Sequence, residues 1–216
     1  MGWQGLIGFG GGATGLSLGG IASPTWDASG GNVVAEPGNG FKYHIFTSPG
    51  NFVVATDGSD GELEGLVIGG GGGGSRQHGG GGGAGGLVHF KLPSGQSCAG
   101  TNAVVIGSAG AADPWPGSES SGSHGNPGQA STLTFPATPY DYVANGGGRG
   151  GTSPSNAAQN GGSGGGQFGN SPGPATQGAG AGEGPPTSGD GPETAAGGQA
   201  YQNPGGVSGG GGAGAG

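Results

Sequence analysis

In 216 residues the chain carries 66 glycines, 16 prolines and only 7 % charged residues. Glycine near one third points to collagen, but collagen needs it at every third position, and here it comes in runs such as 69–74 and 209–212. A formal charge of −8 with four basic residues excludes a nucleic-acid footprint, and so little charge argues against charge-driven disorder.

Two compositional classes remain: a flexible low-complexity chain, or polyglycine II. In the latter, left-handed threefold threads pack side by side because no side chains hold them apart. Glycine reaches the extended threefold region freely, and the amides of each turn must find partners on adjacent threads. The lone Cys98 allows no intramolecular disulfide and fits assembly in a reducing cytoplasm. No stretch is long and apolar enough to span a bilayer, so no membrane insertion is expected.

Residues 1–40 open without a basic region or an unbroken apolar run, so no signal peptide is expected. Trp3, Leu6, Ile7, Phe9, Leu16, Leu18 and Ile21 are nevertheless many large apolar groups for a free tail. They read as a glycine-rich docking segment that buries itself on a partner chain. The bland alternative is that they pack on this protein's own small core.

Residues 41–143 read as a small β domain. Phe41, Tyr43 and Ile45 alternate with Lys42 and His44, and Asn51-Phe-Val-Val-Ala follows Ser48-Pro49-Gly50. Proline then glycine suits the centre of a type II turn, so 41–55 is expected to be a hairpin. Asp57, Asp60 and Glu62 are hard oxygen ligands but lack the EF-hand spacing, so an acidic turn is expected rather than calcium.

Leu66, Val67 and Ile68, and later Val88, Phe90 and Leu92, flank a glycine excursion over 69–86. Its one polar island is Ser75-Arg-Gln-His78. If these runs are hydrogen-bonded threads, valines at Gly71 and Gly81 together should force the backbones apart. Two further short strands are expected near 102–107 and 130–135, separated by a proline-broken polar loop. About six strands suffice for a small antiparallel β-sandwich-like sheet with almost no α-helix.

From Ala144 to Gly216 there is no strand-length apolar run. This last region is expected to be polyglycine II threads and loops. Gly10-x-Gly12-x-x-Gly15 and the Gly-x-Ser-x-Gly patterns at Ser163 and Ser208 match enzyme fingerprints by spacing alone. In so glycine-rich a chain such matches arise by chance, and none has the strand-turn-helix setting. His44, His78, His89 and His124 suit no zinc site. No enzyme, cofactor or metal is expected.

Three stretches carry a resemblance. Gly5-Leu-Ile-Gly-Phe-Gly-Gly-Gly-Ala-Thr-Gly-Leu-Ser resembles the opening of glycine-rich virion proteins of marine tailed phages. Phe41-Lys-Tyr-His-Ile-Phe-Thr-Ser-Pro-Gly-Asn-Phe-Val-Val resembles their aromatic hairpin, and Glu64-Gly-Leu-Val-Ile with the following six glycines completes the likeness. The C-terminal part is similar in composition rather than motif. More distantly the chain is similar to the polyglycine II tip adhesins of T-even-like phages, although its N-terminal half differs from their attachment domain.

The resemblance implies a virion structural protein of a bacteriophage at a fibre or tail tip, assembled in the host cytoplasm. Its expected partners are other virion proteins, through the N-terminal segment, and a host surface glycan or outer-membrane protein. A homo-oligomer is compatible with both. Only the islands between glycine threads can project side chains, so Arg76, His78, Phe168 and Tyr201 are the receptor-contact candidates. The alternatives are a purely structural virion component, such as a capsid decoration or fibre spacer, and a non-viral glycine-rich protein of a cell surface.

Overall fold

Some strands in this chain begin where large and β-branched residues interrupt the glycines, as at 87–91, or stop where glycine resumes, as at 64–68. The computed structural model describes residues 8–12, 26–58, 63–75, 79–92, 96–113, 124–136, 140–151, 158–166 and 193–194, and among them no helix occurs. Their strands form two antiparallel sheets. One contains, in spatial order, β11 (Glu193–Thr194), β7 (Leu87–Lys91), β6 (Glu64–Ile68), β1 (Gly8–Gly12), β4 (Phe41–Ile45) and β3 (Val33–Ala35). The other contains β10 (Tyr140–Ala144), β9 (Ser131–Phe135), β8 (Gly100–Val105), β5 (Gly50–Thr56) and β2 (Asp27–Ser29). The protein is mainly β and antiparallel, as its alternating runs predict.

Inward-facing residues of the two sheets form one apolar core, including Phe46, Phe52, Val67, Phe90, Leu133, Phe135 and Tyr142. Phe90 of β7 stacks on Tyr142 of β10 with ring centroids 3.8 Å apart, and Phe135 meets both rings edge-on. This aromatic trio fastens one sheet to the other. Asn102 is the polar exception: fully buried on β8, its amide donates to the Phe52 carbonyl at 3.1 Å and the Cys98 carbonyl at 3.0 Å.

Two expectations are corrected. Residues 41–55 are not a hairpin, since β4 pairs with β1 and β3 whereas β5 pairs with β2 and β8. Ser48-Pro49-Gly50 turns a corner between sheets, which lets Phe46 and Phe52 enter the same core. Nor are 40 and 143 seams in the pairing. β1 lies between β4 and β6, β2 joins β5, and β3 joins β4, so the segment expected to dock elsewhere supplies three strands.

Beyond the strands the chain continues as extended glycine-rich threads. β6 runs into 69–75, and 79–86 runs into β7. β8 runs into 106–113, 124–130 into β9, and β10 into 145–151, while 162–166 completes the set. Backbone bonds between threads recur every third residue on both partners. Gly69, Gly72 and Ser75 donate to the carbonyls of Gly86, Gly83 and Gly80, and Gly80 and Gly83 donate in turn to Gly151 and Gly148. A repeat of three is what a threefold extended helix produces, since it turns every third residue to the same neighbour.

The bonding pattern fixes the array. One row holds 106–113, 69–75 and 79–86; the second holds 124–130, 145–151 and 162–166, offset by half a spacing. Each pair that would touch in such a triangular array shares at least one backbone hydrogen bond. The array therefore takes 145–151, expected in a separate C-terminal region, into contact with threads from both halves of the 69–86 excursion.

Side-chain size explains how two sheets merge into one array. Toward the threads the inward residues shrink from Phe90 to Val88 to Gly86, and from Tyr142 to Ala144 to Gly146. Sheets stay about 10 Å apart only because side chains separate them. Without side chains, backbones close to hydrogen-bonding distance in both directions. A Cβ on Gly72 would fall on the Gly148 carbonyl, and one on Gly70 on the Ser108 carbonyl.

Candidate functional site

The threads have a base, where the sheets are, and a far end. At that end the described residues of the threads run to Ser75, Asp113 and Gly151, and those of 124–130 begin at His124. Backbone and side-chain bonds tie these termini together. The Ser75 hydroxyl donates to the Gly150 carbonyl at 2.6 Å and accepts from the Gly125 amide at 3.3 Å. The Asp113 amide donates to the Gly74 carbonyl at 3.2 Å, and the Gly80 amide to the Gly151 carbonyl at 2.8 Å.

Arg149 adds a positive charge there, and His124 a ring. Arg149 Nη1 approaches both His124 ring nitrogens, at 2.6 and 2.7 Å. Both side chains come from threads of the second row, and in 124–130 glycine occurs only where a neighbouring backbone demands it. Gly125 and Gly128 each carry a hydrogen where a Cβ would strike 69–75, whereas Asn126, Pro127 and Gln129 keep side chains. The site thus sits on a frame whose own interior admits no side chain. Its exposed chemistry is confined to thread ends and to the outer threads.

Other polar groups lie near the base. His44 Nδ1 is 2.8 Å from the Gly30 carbonyl, and its ring meets Phe52 edge-on. His89 Nε2 is 2.5 Å from Glu64 Oε1 on the outer face of the β6–β7 pair. Asp57 is a clamp: its carboxylate accepts from the Ser97 hydroxyl at 2.5 Å, the Cys98 amide at 3.0 Å and the Cys98 thiol at 3.4 Å. Burial and the facing Asp57 carboxylate push the Cys98 thiol up to about 12. Among the described residues no three His, Cys, Asp or Glu gather as a metal site.

Of the residues singled out in the sequence, Arg76, His78, Phe168 and Tyr201 lie outside the described residues, as do Asp60, Glu62, Trp3, Leu6, Ile7, Leu16, Leu18 and Ile21. Phe9 falls within β1, in the middle of its sheet. Sequence reasoning missed Arg149 and His124. A signal was present: the chain has only four lysines and arginines, and Lys42 and Lys91 belong to strands of the base, which leaves Arg149 as the one on a described thread.

The comparisons add one match. A family model described as a glycine-rich domain matches residues 47–216, which is most of the chain. The protein belongs to that family. The match begins between β4 and β5 and takes in every thread. No curated protein and no solved structure matches the chain.

Proposed function

We propose that this glycine-rich protein is a structural component of a bacteriophage virion, at a fibre or tail tip, and that its thread end binds the host surface. The reading rests on one observation. Around Ser75, Asp113, His124 and Gly151, the last described residues of four threads, hydrogen bonds join each thread to a neighbour at the end opposite the sheets. The connections from 75 to 79 and from 113 to 124 therefore start and finish at that end, and the one that leaves Gly151 starts there. Arg76 follows Ser75 directly in the sequence, and Phe168 follows Gly166 by two residues.

In this reading the six segments are polyglycine II threads. The three-residue hydrogen-bond repeat and the backbone-to-backbone approach at Gly70 and Gly72 support that assignment. A bundle of this kind is a stiff stalk for short polar loops, which is what recognition by rigidly presented groups requires. Sugar or protein contact through a few such groups is weak per site, so several copies per particle would supply avidity.

The test has two parts. Labelled antibody against the protein should decorate one end of a fibre or tail on intact particles of the phage that encodes it. Particles carrying alanine at Arg76, His78, Phe168 and Tyr201, singly and together, should assemble normally yet adsorb to host cells more slowly. Unchanged adsorption of the quadruple variant would make the protein a spacer instead, and antibody binding elsewhere than a tip would overturn the location.

A further inference from the structure

Among the described residues, one flank of the thread array has no neighbouring thread. The 79–86 thread has neighbours in 69–75, 145–151 and 162–166, and its other sides face none of the described threads. Among the described residues, neither the N–H nor the C=O of Gly82 or Gly85 has a hydrogen-bond partner. These groups repeat at the three-residue spacing that a further thread would satisfy.

The chain itself holds the occupant. In every antiparallel strand pair that leads into threads, the register passes from sheet to array without a slip. Ile68 faces Leu87 in the sheet, and the next bonded pairs are Gly69 with Gly86, Gly72 with Gly83 and Ser75 with Gly80. Val105 faces Thr132, and Ser108 then bonds Gln129 and Ala111 bonds Asn126. Ala144 faces Ser131, and Gly147 then bonds Gly128.

β11 makes one more such pair with β7, on the side opposite β6. Glu193 faces His89 and Thr194 faces Val88, so the chain is heading toward the 79–86 thread. Carried forward in the same register, Gly197 would fall opposite Gly85 and Ala200 opposite Gly82. Residues 195–200 are all alanine or glycine except Gln199, and the two positions opposite Gly85 and Gly82 are glycine and alanine.

We propose that residues 195–200 dock along the free flank of the 79–86 thread as a seventh thread, hydrogen-bonded to Gly82 and Gly85. The segment is tethered beside its site by β11, so a contact too small to hold a separate molecule suffices. This inference stands apart from the receptor reading, because it concerns only how the array closes on the β7 side.

Amide hydrogen exchange followed residue by residue tests it. In the full chain the Gly82 and Gly85 amides should be protected, and in a chain ending at Thr194 their exchange should quicken by about tenfold or more. The bonded amides of Gly70 and Gly73, on the other side of the 69–75 thread, should change little. Should the shortened chain fail to fold, Gly197→Val within the full chain should give the same local loss, and Gly212→Val should not. Fast exchange at Gly82 and Gly85 in the full chain overturns the proposal. Protection that survives truncation, or that rises with protein concentration, also overturns it, the second outcome assigning the flank to another copy.

Discussion

Gly71 and Gly72 are adjacent in the chain and opposite in their surroundings. A Cβ on Gly72 would land on the Gly148 carbonyl, whereas a Cβ on Gly71 would find its nearest atom, the Gly83 carbonyl oxygen, at 3.7 Å. Hydrogen bonds recur at every third residue along 69–75, so successive residues face different neighbours and one can be sealed while the next is open. The expectation for the valine pair is therefore corrected at Gly71: the prohibition belongs to Gly72.

Alanine at these positions should separate them. Gly71→Ala should leave stability unchanged or raise it by about 0.5 kcal/mol, because it restricts the unfolded chain without meeting any backbone. Gly72→Ala should cost about 2–3 kcal/mol, since the 145–151 backbone must move to admit the methyl. Urea unfolding midpoints of the two variants would check this, and equal midpoints would count against the packed array.

Asn102 offers a second measurement. Its amide donates to the Phe52, Cys98 and Gly100 carbonyls, so Asn102→Ala removes these buried bonds and should cost about 2–3 kcal/mol. Asn102→Asp should be worse at neutral pH, because a carboxylate would face those oxygens with no hydrogen to offer. Burial there raises the folded-state pKa of the introduced acid above its unfolded value of about 3.9. The deficit of Asn102→Asp should therefore shrink as pH falls toward that value and grow as pH rises. Unfolding of both variants at several pH values, compared at each pH, reads it out.

Cys98 gives a third, at the alkaline end. Its thiol stays protonated in the folded chain up to about 12, above the ordinary 9.0. Between those values the unfolded chain has lost a proton that the folded chain retains, so stability falls as pH rises, by about 1.4 kcal/mol per unit from this group. Other groups titrate in the same range, so the comparison is with Cys98→Ala. The wild type should lose its advantage over that variant progressively above pH 9. A constant difference from pH 8 to 10.5 would contradict the burial described.

Much of the sandwich is written plainly in the sequence. Val88, Phe90, Leu133 and Phe135 stand in alternating runs and Val67 in the continuous apolar run 66–68, and each lies in the core. β1 was hidden because four of its five residues are glycine, which carries no alternation to read. β2 and β3 have three residues each, too short for a period, and they are strands only because β4 and β5 offer edges. At the far end, Ser75 belonged to a visible polar island, while Arg149 and His124 sit in different threads of a non-local array. Their meeting depends on which threads are neighbours, and composition does not encode that directly. The spacing of glycine does encode it in part: 69–75 has four neighbours and glycine at six successive positions, whereas 106–113 has two and needs it only at Gly107 and Gly110.

The narrowing of the core from aromatic rings to bare backbone has a thermal consequence. Exposing apolar surface on unfolding raises the heat capacity, and exposing amides lowers it. The sheet end exposes rings and aliphatic groups; the thread end exposes mostly peptide. These contributions oppose each other, so the stability curve of the whole chain is flatter than that of a conventional domain of equal length. Cooling weakens apolar burial, but it leaves amide-to-carbonyl bonding between the threads in place. The end of the molecule with the least side-chain packing is thus the end least sensitive to cold.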